Sequence, residues 1–202
     1  FGLSDDVSGG NLFTAVAAFD GGTNDGTYDI YRIAPDGTGL TQVTDTSSED
    51  FWAQYTPDGS RIVFLRGDPD TQTYDLYKMN ADGSGRELLQ GNVSPASGSS
   101  ETTDDPFSIG SLKVSPDGSA VAYRSSTDQQ IYLVSLSDGT TTQLTTNYDD
   151  SSASWSWTWS GDGQKILYPR VGNDLDVQIW TVEVDSGVEN QLFSSFDTIS
   201  SV

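Results

Sequence analysis

The sequence contains no cysteine and no histidine. Without cysteine, disulfide scaffolds and thiolate metal sites are excluded. Without histidine, so are a Ser-His-Asp triad, a Cys-His pair and a His-ligated metal within this chain. A nucleophile-elbow motif and a phosphate-binding glycine loop are also missing from the sequence. Since only a pair of carboxylates remains for catalysis, we expect a protein that is not an enzyme.

Positive charge is scarce, with 9 lysines and arginines against 30 aspartates and glutamates and a formal net charge of -21. Such a field repels nucleic acids and anionic membranes. No run approaches the roughly 18 apolar residues of a membrane span, so we expect neither nucleic-acid binding nor a transmembrane segment. Abundant Ser, Thr, Asp and Gly favour an extracytoplasmic setting: periplasmic, cell-surface or secreted.

What the sequence does contain is a repeated phrase. An apolar, aromatic-rich run with strand character occurs four times, as YDIYRI at 28–33, YDLYKM at 74–79, QIYLVS at 130–135 and VQIWTV at 177–182. A turn containing Asp-Gly or Ser-Gly and a further short strand follow each run. Another Asp-Gly hairpin precedes three of them, at 53–66, 112–125 and 157–170. Each unit is therefore predicted to be a four-stranded antiparallel meander.

Meanders of this length must stack on copies of themselves to bury both faces, as the blades of a β-propeller do. We expect an all-β fold, a single propeller domain over 1–202 with about four blades at about 1–45, 46–91, 92–146 and 147–196. Residues 197–202 would begin a next blade or supply a closing strand. The innermost strand of the first blade is weak or missing in the sequence. The ring is either closed by itself, incomplete, or completed by another chain.

The phrase SPDG followed by alternating apolar residues, then DIY or DLY, DG and LT, resembles the TolB-like family of β-propellers. The resemblance extends from about Leu12 to Phe193. It implies a propeller fold and a role in protein contact outside the cytoplasm. The separate α/β domain that TolB carries at its N-terminus is not found in this sequence, so the particular partners of that family are not carried over.

Most aspartates of the repeat precede a turn glycine, where Asp bonds its own backbone. We interpret these as structural, namely Asp36, Asp58, Asp82, Asp117, Asp138 and Asp162. By strand parity these turns lie at one end of each blade, and the irregular acidic loops lie at the other.

Three acidic pairs come just before the innermost strands, and tryptophans follow two of them. The predicted partner-binding residues are Glu49, Asp50, Trp52, Asp104, Asp105, Asp149, Asp150 and Trp155. Converging carboxylates suit a hard cation, so Ca²⁺ is the expected cofactor if there is one, at Asp50, Asp105 and Asp150. The default alternative is a solvated acidic rim.

The leading hypothesis is an extracytoplasmic propeller that binds a protein partner or ligand through this acidic loop face. One alternative is a structural subunit of a surface layer or extracellular filament, in which open blade edges contact another copy of the chain. The other is a regulatory propeller belonging to a larger hydrolase.

Overall fold

The computed structural model describes residues 4–5, 11–16, 28–68, 73–95, 112–146, 157–171 and 176–194. Over these residues the chain forms sixteen β-strands in four separate sheets, each of four antiparallel strands. No helix occurs in the described ranges, and none of their segments meets the length and hydropathy of a membrane-crossing helix. The all-β prediction is confirmed.

The contacts divide the chain into two compact units, of which the first comprises Phe1–Ser94 with Ser135–Thr140. Its first sheet has the order β1 (Ser4–Asp5), β2 (Asn11–Val16), β3 (Tyr28–Ile33) and β4 (Thr41–Gln42). The second has β5 (Glu49–Tyr55), β6 (Arg61–Asp68), β7 (Thr73–Asn80) and β8 (Glu87–Val93). The weak innermost strand of the first blade is thus a two-residue strand, β1.

The second unit comprises Pro95–Val134 and Thr141–Val202. The third sheet contains β9 (Leu112–Val114), β10 (Ala120–Arg124), β11 (Ile131–Ser135) and β12 (Thr141–Gln143). The fourth contains β13 (Thr158–Trp159), β14 (Lys165–Val171), β15 (Val177–Glu183) and β16 (Glu189–Ser194). The predicted closing or fifth-blade segment, 197–202, lies outside the described residues. That the chain is one domain stays a prediction.

The Asp-Gly turns have the predicted structural role. In all six, the aspartate carboxylate accepts a hydrogen bond of 2.9–3.1 Å from the backbone N–H two residues later. The following glycine has a positive φ of +68° to +88°, which a residue without Cβ adopts at no steric cost. These turns join consecutive strands and fix the hairpin registers.

A second repeated device explains the other half of the phrase. In each sheet, a residue at the start of the third strand, or just before it, accepts a hydrogen bond with a side-chain oxygen. The donor lies at or near the end of the fourth strand. The outer hairpin, which these two strands form, is therefore closed at both ends. The four pairs are Asp29–Thr44, Asp75–Asn92, Gln130–Thr145 and Asp176–Ser194. The aspartates of DIY and DLY therefore have a structural role, because each fixes the end of its outer hairpin.

Each unit has its own apolar core. In the first unit Ile30, Tyr55, Ile62, Phe64 and Met79 form one buried cluster between the two sheets. The core of the second unit consists of Ala122, Ile131, Leu144, Trp157, Ile166, Tyr168 and Val182. Each cluster draws on both sheets of its unit, as expected if single meanders cannot bury both faces.

Candidate functional site

Three of the predicted partner-binding residues lie in the first unit. Glu49 and Asp50 begin β5, and Trp52 lies within it. The remaining five predicted residues, Asp104, Asp105, Asp149, Asp150 and Trp155, lie outside the described residues. In the first unit, the described part of the acidic loop face is the end of the two sheets at which β5 begins.

Asp50 is fully buried and forms a two-pronged ion pair with Arg66. Arg66 donates from Nε to Asp50 Oδ1 at 2.7 Å and from its terminal nitrogen to Oδ2 at 2.8 Å. The guanidinium also lies over the rings of Phe64 and Tyr77, at 5.8 and 5.1 Å from their centroids. Fork-to-fork pairs of this kind combine charge with fixed geometry. Asp50 thus faces a protein cation rather than solvent.

Asp29 is a second buried carboxyl group at this end of the unit, with 2 % of its surface exposed. Its oxygens accept hydrogen bonds from the Thr44 hydroxyl at 3.1 Å and the Gln42 amide at 3.0 Å. Burial raises the pKa of Asp29 above its ordinary value, the hydrogen bond from Thr44 opposes that rise, and the charge of Asp50 adds to it. Two buried acids therefore share one neighbouring arginine.

Acidic residues of several strands lie at this end of the unit. Asp29 is the second residue of β3, Glu49 and Asp50 begin β5, and Asp75 lies near the start of β7, directly across the ladder from Arg66 of β6. Nonetheless, no group of three or more acidic side chains in the described ranges is placed to hold a metal ion. A cation at Asp50 would have to displace Arg66. The predicted Ca²⁺ site stays a prediction, since Asp105 and Asp150 lie outside the described residues.

Trp52 has an unusual backbone conformation. It is partly exposed, and its φ of +50° lies in the left-handed region that bulky residues avoid. The β5–β6 register shifts between Phe51 and Gln54, which is a β-bulge at this tryptophan. Continuing the register of Gln54↔Val63 would place Asp50 opposite Gly67. The bulge instead places it opposite Arg66, with which it forms the ion pair.

Two further tryptophans, Trp157 and Trp159, belong to the second unit. Trp157 is 2 % exposed and lies in the core, and Trp159 packs against the same cluster. Lys113 of β9, which the sequence did not single out, contacts both. Its amine donates a hydrogen bond to the Trp157 carbonyl and lies 4.9 Å from the Trp157 ring centroid. In return Trp159 Nε1 donates to the Lys113 carbonyl at 3.2 Å.

Solved structures with the same fold include several β-propeller proteins. A putative TolB from Agrobacterium tumefaciens aligns with a TM-score of 0.57 at 21 % identity, over 92 % of this chain and 61 % of that one. The β-propeller domain of the Trilobed protease from Pyrococcus furiosus aligns with 0.59 at 11 %, over 95 % and 56 %. An oligogalacturonate lyase in complex with manganese aligns with 0.62 at 16 %, over 96 % and 53 %.

These comparisons establish the fold as that of β-propellers. The chain spans about half to three fifths of the length of those three proteins. No family model and no curated protein matches the sequence. The TolB-like assignment is therefore supported at the level of the propeller fold.

The expectation that the chain is not an enzyme is wrong. The same fold forms a large part of a lyase and a domain of a protease. The lack of histidine and cysteine in this chain does not decide whether it belongs to an enzyme. The propeller fold occurs in enzymes with different activities, and a propeller can be one domain of a larger enzyme. The amino-acid composition of a propeller therefore does not decide whether it takes part in catalysis.

Proposed function

We propose that this chain is a TolB-like propeller that acts outside the cytoplasm and binds a positively charged protein partner or ligand through its acidic loop face. The observation that carries the proposal is the placement of Asp29, Glu49, Asp50 and Asp75 at one end of the first unit, where Asp50 is paired with Arg66. The carboxylates outnumber the cation at this end of the first unit. An uncompensated negative field steers basic partners and sets their orientation.

The field of the whole chain supports the same class of partner. With a net charge of -21, the protein attracts cations over distances up to about the Debye length, roughly 10 Å at 0.1 M salt. The buried pair Asp50–Arg66 holds the end of β5 in place, while exposed acids such as Asp45, just before it, are available to a partner. Fixed and accessible charges thus have separate roles.

A pair of charge-matched variants tests the proposal. Asp45→Asn removes an exposed acid from the loop face, whereas Asp185→Asn removes an exposed acid from a turn between β15 and β16. The probe is a decalysine peptide, titrated calorimetrically at low salt. We expect Asp45→Asn to weaken binding about two- to fivefold, the scale of one exposed charge pair, and Asp185→Asn to leave it unchanged. Equal effects of the two variants would show that only net charge matters and would contradict a binding face.

The comparisons favour a second candidate, a propeller segment of a larger enzyme. The chain covers only 53 % of the oligogalacturonate lyase that it resembles in fold. In that case the acidic face would guide a substrate or position another domain. The reading frame of the parent gene decides between the two, because a catalytic domain encoded beside these residues would support the enzyme.

Native mass measurement with and without chelator addresses the remaining possibilities. A monomer of 21.7 kDa supports a binding module. An open-ended series of oligomers supports a structural subunit of a surface layer or filament, in which copies of the chain pair through blade edges. A mass that falls by one or more calcium ions on chelation supports the predicted Ca²⁺.

A further inference from the structure

The six Asp-Gly turns of the described residues share one hydrogen-bonding pattern but differ in how well their glycine is covered. In each turn the glycine N–H donates to a carbonyl three or four residues earlier. The aspartate carboxylate accepts from the N–H two residues later. Five of the six glycines are partly buried, whereas Gly37 is exposed, as is every residue from 35 to 42. The turn at Asp36 is therefore the one most open to solvent.

Packing also separates this turn from the two other turns that join a third strand to a fourth. A Cβ on Gly83, between β7 and β8, would lie 2.8 Å from the Val43 carbonyl oxygen. One on Gly139, between β11 and β12, would lie 2.2 Å from the Leu89 carbonyl oxygen. A Cβ on Gly37, between β3 and β4, would meet nothing within 4 Å. Neighbouring backbone thus restrains the first two turns, and no such close approach restrains the third.

The turns that join a second strand to a third, or a first to a second, are restrained by a hydroxyl group. In each of the three inner turns, a hydroxyl two residues before the aspartate donates to its carboxylate at 2.6 Å. These donors are Thr56, Ser115 and Ser160. The residue two before Asp36 is Ala34, which has no hydroxyl. Asp36 accepts from the N–H and the hydroxyl of Thr38, at 3.0 and 2.7 Å. Since hydrogen bonds to an ionised group are strong, the inner carboxylates are held more firmly.

We propose that Asp36 is a modification site, at which the folded protein forms a succinimide and then isoaspartate. The Gly37 nitrogen attacks the side-chain carboxyl carbon of Asp36, an N–C bond forms, and the carboxyl hydroxyl leaves as water with the proton of that nitrogen. Water then opens the ring at the backbone carbonyl, so that the chain passes through the Asp36 Cβ. The reaction requires no reagent other than water. It lengthens the backbone of the turn that joins β3 to the two-residue strand β4.

Access to the reacting atoms, rather than ionisation, distinguishes Asp36 from the other sites. Hydrogen bonds outweigh desolvation and hold the pKa of all six turn aspartates below its ordinary value, so protonation does not single out Asp36. Attack requires that the glycine N–H leave its carbonyl and that the carboxyl group turn away from its donors. This local opening costs least where a turn is exposed and unpacked.

Ageing of the full chain tests the proposal. Trypsin releases one peptide, 33–61, that contains both Asp36 and Asp58, so an exposed turn and a hydroxyl-held turn are compared within one molecule. The protein is kept at neutral pH, digested at intervals under mildly acidic conditions, and fragmented by electron transfer, which distinguishes isoaspartate from aspartate. We expect isoaspartate to accumulate about tenfold faster at Asp36 than at Asp58, the scale of one additional hydrogen bond to a charged group. The other four turns should also react more slowly than Asp36.

The chain has two further Asp-Gly pairs, at 20–21 and 25–26, which lie outside the described residues. Both belong to the tryptic peptide 1–32, so they are quantified separately and do not enter the comparison.

Two controls separate the effect of the fold from that of the local sequence. In concentrated urea the turns are lost, and the rates at Asp36 and Asp58 should become nearly equal because glycine follows both. Asp36→Glu keeps a carboxylate but requires a larger ring, so the signal at position 36 should vanish while the rate at Asp58 stays the same. A folded-state rate at Asp36 no higher than at Asp58, or a preference for Asp36 that persists in urea, overturns the proposal. So does a folded protein that forms no isoaspartate at Asp36 while the urea sample accumulates it.

Discussion

At the scale of single residues, the acidic loop face contains a charge pair that holds structure rather than ligand. Asp50 is fully buried and Arg66 lies largely inside with it. The sequence places Asp50 next to Glu49 at the start of a strand, which is a typical position for a ligand-binding acid. Only the pairing of β5 with β6 reveals that both carboxylate oxygens are taken by an arginine.

Asp50→Asn should destabilise the protein by about 3 kcal/mol, because breaking a buried pair leaves the remaining charge without compensation. Equilibrium unfolding in urea measures this free energy. The matched control is Glu183→Gln, which breaks the exposed pair with Lys165 and should cost far less. A loss for Asp50→Asn no larger than for the control would show that the Arg66 pair does not stabilise β5.

Trp52 provides a second test at this scale, since its backbone and its side chain have opposite effects. Trp52→Ala removes the indole but keeps a Cβ at φ +50°, whereas Trp52→Gly also removes the strain. We expect the glycine variant to be more stable than the alanine variant by about 1 kcal/mol. Urea midpoints compare the two directly. A more stable alanine variant would mean that the bulge is relaxed in solution.

At the scale of elements, much of the fold follows from local signals. The Asp-Gly turns, with their fixed backbone geometry, gave the hairpins and nearly all strands. The bulge at Trp52 was not predictable, because no turn residue marks it and a tryptophan occupies a position where glycine is usual. A prediction that omits the bulge shifts the β5–β6 register by one residue and places Asp50 opposite Gly67 instead of Arg66. The acids of the candidate site are therefore predictable from the sequence, whereas the pairing of Asp50 with Arg66 is not.

The turn aspartates predict a pH dependence at this scale. Hydrogen bonds from the Thr56 and Ser60 hydroxyls and the Ser60 N–H lower the pKa of Asp58 to about 2. Because the folded-state pKa lies below the unfolded value of about 3.9, the stabilisation is present above that value and is lost as pH falls towards 2. Asp58→Asn should thus destabilise the protein at pH 6 and much less at pH 2.

Urea unfolding of wild type and Asp58→Asn at both pH values measures this difference. Asp185→Asn is the control, since the Asp185 carboxylate accepts no hydrogen bond among the described residues. A destabilisation by Asp58→Asn that is the same at pH 2 and pH 6 would contradict a role for the ionised carboxylate.

Two turn glycines allow the energetic cost of backbone strain to be measured separately from that of a steric clash. Both have a positive φ, +73° for Gly139 and +67° for Gly187. A Cβ on Gly139 would lie 2.2 Å from the Leu89 carbonyl oxygen, whereas one on Gly187 would meet nothing within 4 Å. Gly187→Ala should cost about 1 kcal/mol from strain alone, and Gly139→Ala clearly more. Thermal unfolding of the two variants compares them, and equal costs would contradict the close approach of the 135–140 turn to β8.

At the scale of the whole molecule, lowering the pH has two opposite effects on the free energy of unfolding. Eight aspartates of the described residues, in both units, have pKa values lowered by hydrogen bonds. Their stabilisation is lost as pH falls below about 4. The raised pKa of buried Asp29 has the opposite sign, since its contribution is present at low pH and is lost as pH rises through its folded-state pKa. The eight lowered pKa values outnumber the one raised value, so the protein should unfold more readily in acid.

The net charge of -21 and the sequence pI of about 4.1 predict how salt acts on stability. At pH 7 the acids repel one another within the folded protein, and added ions screen that repulsion. Sodium chloride at 0.5 M should therefore raise the urea midpoint at pH 7 and change it much less near pH 4, where the net charge is close to zero.

Sodium chloride suits the test because sulfate also strengthens apolar burial. Sucrose serves as the uncharged control and should raise both midpoints alike. If salt raised the two midpoints equally, self-repulsion would not limit stability. Calcium chloride at matched ionic strength extends the test, because any stabilisation beyond that of sodium chloride reports binding to the folded state by mass action.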